Sequence, residues 1–260
     1  MIPEEGCPVL LQIHGGAWMM GDKGSQALPL MYELASRGWI CVAANYRLSP
    51  SVGFPTHLHD CKAALCWVRT NGREYGMNPD FVAVTGGSAG GHLTALMGLT
   101  ANRPELQPGQ PDVDTSVQAA IPFYGVYDWT HDADRHFGPR FRSMLGRLVM
   151  QTPYEKAPDL FREASPIHRI HPDLPPFLVV HGDRDSLAPV EGAREFVARL
   201  QQTSKSPVGF AELPGAQHAF EIFHSLRCRD AVLGVADFLE GVHADHRSGR
   251  TPEGRAARSD

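Results

Sequence analysis

Ser88 lies in the run Gly86-Gly87-Ser88-Ala89-Gly90-Gly91, behind Phe81-Val82-Ala83-Val84-Thr85 and ahead of His92-Leu93-Thr94-Ala95-Leu96-Met97. The apolar, β-branched run predicts a strand, the glycines a sharp turn, and the last segment a helix. Gly86-x-Ser88-x-Gly90 fits the spacing of a nucleophile elbow, in which a strained turn lifts the serine hydroxyl above the sheet. Side chains in place of the flanking glycines would collide where strand and helix approach closely. A serine hydroxyl is a poor nucleophile without a base to take its proton and a carboxylate to orient that base. Both are present later in the chain: His218, and the pair Asp183 and Asp185 in His181-Gly182-Asp183-Arg184-Asp185. Acyl chemistry also needs donors for the developing oxyanion, and His14-Gly15-Gly16 offers backbone able to approach a substrate closely. The five-residue pattern alone arises about 0.1 times by chance in a chain of this glycine and serine content, so the surrounding elements carry the weight.

Those elements alternate. Strands are expected over Pro8 to Ile13, Trp39 to Ala44, Phe81 to Thr85, Val117 to Tyr124, Pro176 to Val180 and Val208 to Leu213. Helices are expected over Leu28 to Arg37, with Gly38 as its stop, over Leu58 to Arg69, after Ser88, over Val190 to Leu200, and over Ala231 to Leu239. Short apolar strands alternating with amphipathic helices predict an α/β fold, a mostly parallel sheet with helices on both faces. Ligands in such sheets bind beyond the carboxyl ends of the strands, and His14, Ser88, Asp183, Asp185 and His218 each follow a predicted strand. Residues 102–116 read as a surface loop and residues 126–175 as an insertion or lid region. In the insertion, Phe141, Leu145 and Leu148 share a helical face, and with Trp129 and Phe137 they either line a pocket or pack a helix. Residues 244–260 have almost no apolar content and are expected to be a disordered tail, leaving 1–243 as the catalytic domain.

Composition removes several function classes. The chain has 260 residues, a formal charge of −5 and a pI near 6.2, which gives no electrostatic footprint for nucleic acid. No apolar run is long enough for stable membrane insertion. Met1 to Gly6 lack the basic and apolar regions of a signal peptide, and the five cysteines are scattered and odd in number. Reduced thiols and a cytoplasmic location are the expectation. His57 with His59 and His168 with His171 form close pairs without a third ligand, so no metal site is expected.

Taken together, five pieces resemble the hormone-sensitive-lipase-like (HGG motif) esterases of the α/β-hydrolase family. They are His14-Gly15-Gly16-Ala17-Trp18, Asn45-Tyr46-Arg47-Leu48-Ser49-Pro50, the elbow at Ser88, His181-Gly182-Asp183-Arg184-Asp185, and Gly215-Ala216-Gln217-His218-Ala219-Phe220. The order Ser, Asp, His is also that of the family. The resemblance implies a serine hydrolase acting on small acyl esters of short to medium chain length, without a cofactor. Amidase, formamidase or peptidase-like activity and a non-catalytic ligand-binding relative are the alternatives, and the oligomeric state is open. It implies Ser88 as nucleophile, His218 as base, Asp185 rather than Asp183 as acid, and an oxyanion hole from Gly15, Gly16, Ala17 and Ala89. His14 would anchor the motif loop, Asp183 would bond loop backbone, and Ala17 stands where relatives often have a third glycine. Relatives carry two strands and commonly a cap before the His-Gly-Gly strand. The segment ahead of that strand here is too short for either, and two readings follow: an incomplete version of a longer protein, which is the expectation, or a natural short form in which the Trp39 to Ala44 strand becomes a sheet edge.

Overall fold

The computed structural model of the protein describes residues 3–130 and 134–249. Six strands form one sheet: β1 (Cys7–Ile13), β2 (Ile40–Ala44), β3 (Met77–Gly87), β4 (Ala119–Phe123), β5 (Phe177–Gly182) and β6 (Val208–Leu213). Their order is β2-β1-β3-β4-β5-β6, and every neighbouring pair is parallel. Strand β2 lies at one edge of this sheet.

Helices α1 (Leu28–Ser36), α2 (Thr56–Asn71) and α3 (Ala89–Leu99) precede β4 in the chain. Three short helices, α4 (Asp134–Phe137), α5 (Pro139–Met144) and α6 (Pro158–Ala164), lie between β4 and β5, and α7 (Val190–Thr203) and α8 (Leu226–Arg247) follow β5 and β6. The two-residue period of β1 divides the core. Val9, Leu11 and Ile13 point to the face covered by α2, α3 and α7, while Leu10 points to the face covered by α1 and α8. All eleven residues of α3 are buried. Each fully buried leucine there, such as Leu93 or Leu96, contributes about 1.5–3 kcal/mol.

Three differences from the sequence expectation have physical reasons. Strand β3 starts at Met77, four residues early, because Cys7 pairs with Met77 and the ladder then skips to Val9 with Val82. Pro79 and Asp80, poor strand formers, disguise that start. Helix α8 begins at Leu226, where the Ser225 hydroxyl accepts the Cys228 amide at 3.1 Å, and it continues to Arg247. Its last turns have few aliphatic residues. They pack instead through the rings of His243 and His246, 4.7 and 5.2 Å from Phe81. The expected tail therefore starts inside α8, and its remainder, 250–260, lies outside the described residues.

The 102–116 loop is the third difference, since Leu106, Gln107 and Thr115 are buried in it. Lys62, itself fully buried on α2, donates to the Thr100 carbonyl and, at 3.4 Å, to the Thr115 hydroxyl. Burial pushes the Lys62 ammonium down to about 8. No helix among the described residues is long and apolar enough to cross a membrane.

Candidate active site

The carboxyl ends of β1, β3, β5 and β6 bring the predicted residues to one edge of the sheet. Ser88 follows β3 directly, at φ 58° and ψ −117°, a conformation that costs a non-glycine residue on the order of 1–3 kcal/mol. The turn is held on both sides. The Ser88 amide donates to the Phe123 carbonyl at 3.0 Å, and the Ser88 carbonyl accepts the His92 amide at 3.0 Å. A Cβ on Gly86 would lie 2.4 Å from the Ile13 carbonyl oxygen, and one on Gly90 2.2 Å from the same atom. Both motif glycines are thus set by the close approach of β1 to the elbow.

The His218 ring stands between Ser88 and Asp185. Its Nε2 is 2.9 Å from Ser88 Oγ and its Nδ1 is 2.6 Å from Asp185 Oδ2. This spacing fits the Ser88 hydroxyl donating to Nε2 and Nδ1–H donating to the carboxylate. The Asp185 side chain is fully buried. Burial works against its charge. Hydrogen bonds from His181, His218 and the Ala188 amide, with the nearby His218 charge, outweigh it and hold the carboxyl well below the usual range. Its other oxygen, Oδ1, accepts the Leu187 and Ala188 amides at 2.9 and 2.7 Å.

Asp183 does a different task two residues earlier. Its Oδ1 accepts the Gly215 amide at 2.6 Å, tying the β5 loop to the turn that leads to His218. Asp183 therefore bonds backbone while Asp185 faces the imidazole.

The loop after β1 is built by the Asn45–Pro50 motif. The His14 ring stacks on Tyr46 at 4.3 Å, and the Tyr46 hydroxyl donates to the His14 carbonyl at 3.0 Å. Burial lowers the pKa of His14. Asn45 accepts the Lys23 amide at 2.7 Å, and the Ser49 amide donates to the Trp18 carbonyl at 2.8 Å. Ala17 and Trp18 adopt positive φ of 52° and 62°, so the loop is strained and over-determined.

One sequence-expected donor is differently employed. The Gly15 amide donates to Gln26 Oε1 at 2.6 Å, so it is committed within the protein. Gly16 and Ala17 follow it in the loop, and Ala89 opens α3, where first-turn amides have no intrahelical acceptor. Sequence reading gave no sign of Gln26, which lies outside every motif. It also left Trp129 between two roles. The side chain is 1 % exposed, stacked on His92 at 4.3 Å and edge-on to Trp18 at 4.7 Å, so it packs the core beneath the elbow.

The architecture recurs in a solved esterase, and the sequence is similar to curated esterases. A thermophilic esterase from Thermogutta terrifontis, solved with butyrate bound, superposes with a TM-score of 0.77 at 26% identity, covering 91% of this chain and 84% of that one. Among curated proteins, the probable carboxylic ester hydrolase LipM of Mycobacterium tuberculosis is 51% identical over 94% of this chain. Esterase LipQ of the same organism is 45% identical over 96%. The chain spans 57% of LipM and 58% of LipQ. The parallel sheet flanked by helices on both faces is the α/β-hydrolase fold, and residues 2–200 match the BD-FAE family. By that match and by its close relatives, the chain belongs to the BD-FAE family, among the α/β-hydrolase esterases and lipases.

Proposed function

We propose that residues 1–243 form the hydrolase domain of a serine esterase of the hormone-sensitive-lipase-like group, with 126–175 as its insertion. It cleaves carboxylic esters through an acyl-Ser88 intermediate. The observation that carries this reading is the continuous chain Ser88–His218–Asp185, with links of 2.9 and 2.6 Å. The Thermogutta terrifontis esterase has been solved with propionate and with butyrate bound, which supports short to medium acyl chains here.

In the first half-reaction Ser88 Oγ attacks the ester carbonyl carbon while its proton passes to His218 Nε2. The carbonyl electron pair moves onto oxygen, where the amides of Gly16, Ala17 and Ala89 receive it. Collapse of that tetrahedral species breaks the bond to the alcohol oxygen, which leaves with the proton from His218. Water then attacks the acyl-serine, gives its proton to His218, and a second collapse returns that proton to Ser88 Oγ as the acid departs. Buried, hydrogen-bonded Asp185 stabilises the imidazolium formed in both halves. The scheme requires no metal or cofactor.

Hydrolysis of a chromogenic ester series of two to twelve acyl carbons by the protein and by Ser88→Ala tests this reading. We expect turnover concentrated at the short end and a loss of about 10⁴-fold or more in the variant. Equal turnover by both proteins, or none by the native chain, would overturn it.

A further inference from the structure

A second carboxyl group, joined to His218 through the ring of Tyr124, takes no part in the scheme above. Glu221, three residues further along the same loop, is 5 % exposed. Its Oε1 accepts a hydrogen bond from the Tyr124 hydroxyl, and its Oε2 is buried without a hydrogen-bond partner among the described residues. The Tyr124 ring packs against the His218 ring, with centroids 4.6 Å apart and planes at 58°. Tyr124, 1 % exposed, follows β4 at φ 34°, a further non-glycine residue in the sparsely populated region.

Gly87 belongs to the same arrangement. It is not one of the glycines of the elbow pattern, yet a Cβ there would lie 2.5 Å from the Tyr124 hydroxyl oxygen. The phenol thus reaches under the elbow to meet Glu221, and the second glycine of Gly86-Gly87 leaves it room. Helix α8 fixes the other side, where the Cys228 thiol donates to the Glu221 carbonyl at 3.3 Å.

We propose that Glu221 is a positioning residue that acts through space on His218, its buried carboxylate stabilising the imidazolium while Tyr124 holds carboxylate and ring in register. The proposal rests on the reading that His218 takes the proton of Ser88.

The groups facing Glu221 are Tyr124 from the end of β4, Cys228 from α8 and His218 from its own loop, with Asp185 from the β5 loop acting on Tyr124. Burial raises the Glu221 pKa, and the Tyr124 hydrogen bond and the His218 charge oppose that rise. The Tyr124 ring, packed on His218 and hydrogen-bonded to Glu221, is the link between this carboxyl and the imidazole.

Glu221→Gln separates this role from a purely structural one, because glutamine keeps the acceptor for Tyr124 and removes the charge. Ring resonances of His218 followed by NMR across pH, in native protein and in Glu221→Gln, give a readout that needs no turnover. We expect the imidazolium of the variant to lose its proton about one pH unit lower. The acid limb of kcat/KM should move the same way, with kcat down about 10-fold and KM little changed. Tyr124→Phe, which removes the hydrogen bond that favours the charge, should shift both in the same direction and serves if Glu221→Gln does not fold. Identical His218 titrations in native and variant proteins overturn the proposal. Absence of Ser88-dependent turnover in the native protein would instead strike the esterase reading, while the NMR comparison still decides the role of Glu221.

Discussion

Gln26 Oε1 holds the amide of Gly15 at 2.6 Å, so a side chain eleven residues downstream fixes the backbone that leads to Gly16 and Ala17. A misplacement of catalytic donors by even a fraction of a bond length is costly, since such groups work by being preorganised. We expect Gln26→Ala to lower kcat by about 10- to 100-fold with a small change in KM. Gln26→Glu, which retains an acceptor oxygen, should keep much of the activity. Steady-state kinetics on a short acyl ester check both. An unchanged kcat in Gln26→Ala would mean that the loop holds its shape without this contact.

Asp183 and Asp185 are separated by one residue but differ in what they meet, backbone for one and imidazole for the other. Replacing the acid that orients a catalytic histidine costs about 10⁴-fold in kcat, because the wrong tautomer is then favoured. Asp185→Asn should show a loss of that order. Asp183→Ala should lose about 10-fold or less, together with some thermal stability, because it gives up the 2.6 Å contact to the Gly215 amide. Equal losses in kcat would exchange the two assignments.

The residues that stand at strand ends were the legible part of this site. Ser88, Asp185 and His218 each follow a strand, and their types are dictated by acyl chemistry, so order and spacing pointed to them. The parallel sheet was legible for a related reason: buried strands such as β1 are apolar except at Gln12, and amphipathic helices separate them. Gln26, Tyr124 and Glu221 were not legible. Their contacts span 11 and 97 residues of sequence, and no local period or motif marks a side chain that meets its partner only after folding. The start of β3 and the end of α8 were hidden for a different reason, since Pro79 and the histidines of α8 are used against their local propensity.

Glycines offer a test of the close approaches. A methyl group on Gly90 would be driven to 2.2 Å from the Ile13 carbonyl oxygen and 2.7 Å from that of His14, both backbone atoms that cannot turn aside. Gly90→Ala should therefore destabilise the protein by about 3 kcal/mol or prevent folding. Gly234, exposed within α8, has nothing within 4 Å of its would-be Cβ. Gly234→Ala should stabilise by about 0.5–1 kcal/mol, through helix propensity and a less flexible unfolded chain. Urea unfolding of both variants at pH 7.5 measures the two signs, and matching signs would contradict the packing described for α3.

Acid sensitivity follows from two buried histidines away from the hydrolytic chemistry. His92 Nδ1 accepts the Trp18 indole N–H at 3.2 Å, so Nε2 carries the ring proton and donates to the Ala164 carbonyl at 2.7 Å. Burial pushes His92 down to about 3 and His57 down to about 4. In the unfolded chain both titrate near 6.5. Above that pH neither state takes a proton and the stability they allow is fully present. As pH falls below about 6.5 the unfolded chain is protonated first, so stability declines progressively until the folded values are reached. Between pH 6.5 and 4.5 the effect is separable from that of Asp185, whose depressed carboxyl gives up stability only below about 4. We expect the melting temperature to fall on going from pH 7.5 to 4.5, and to fall less in His57→Gln, even though that variant starts lower at pH 7.5 through loss of the 3.0 Å contact with Ser49. An equal drop in both proteins would assign the acid sensitivity to other groups.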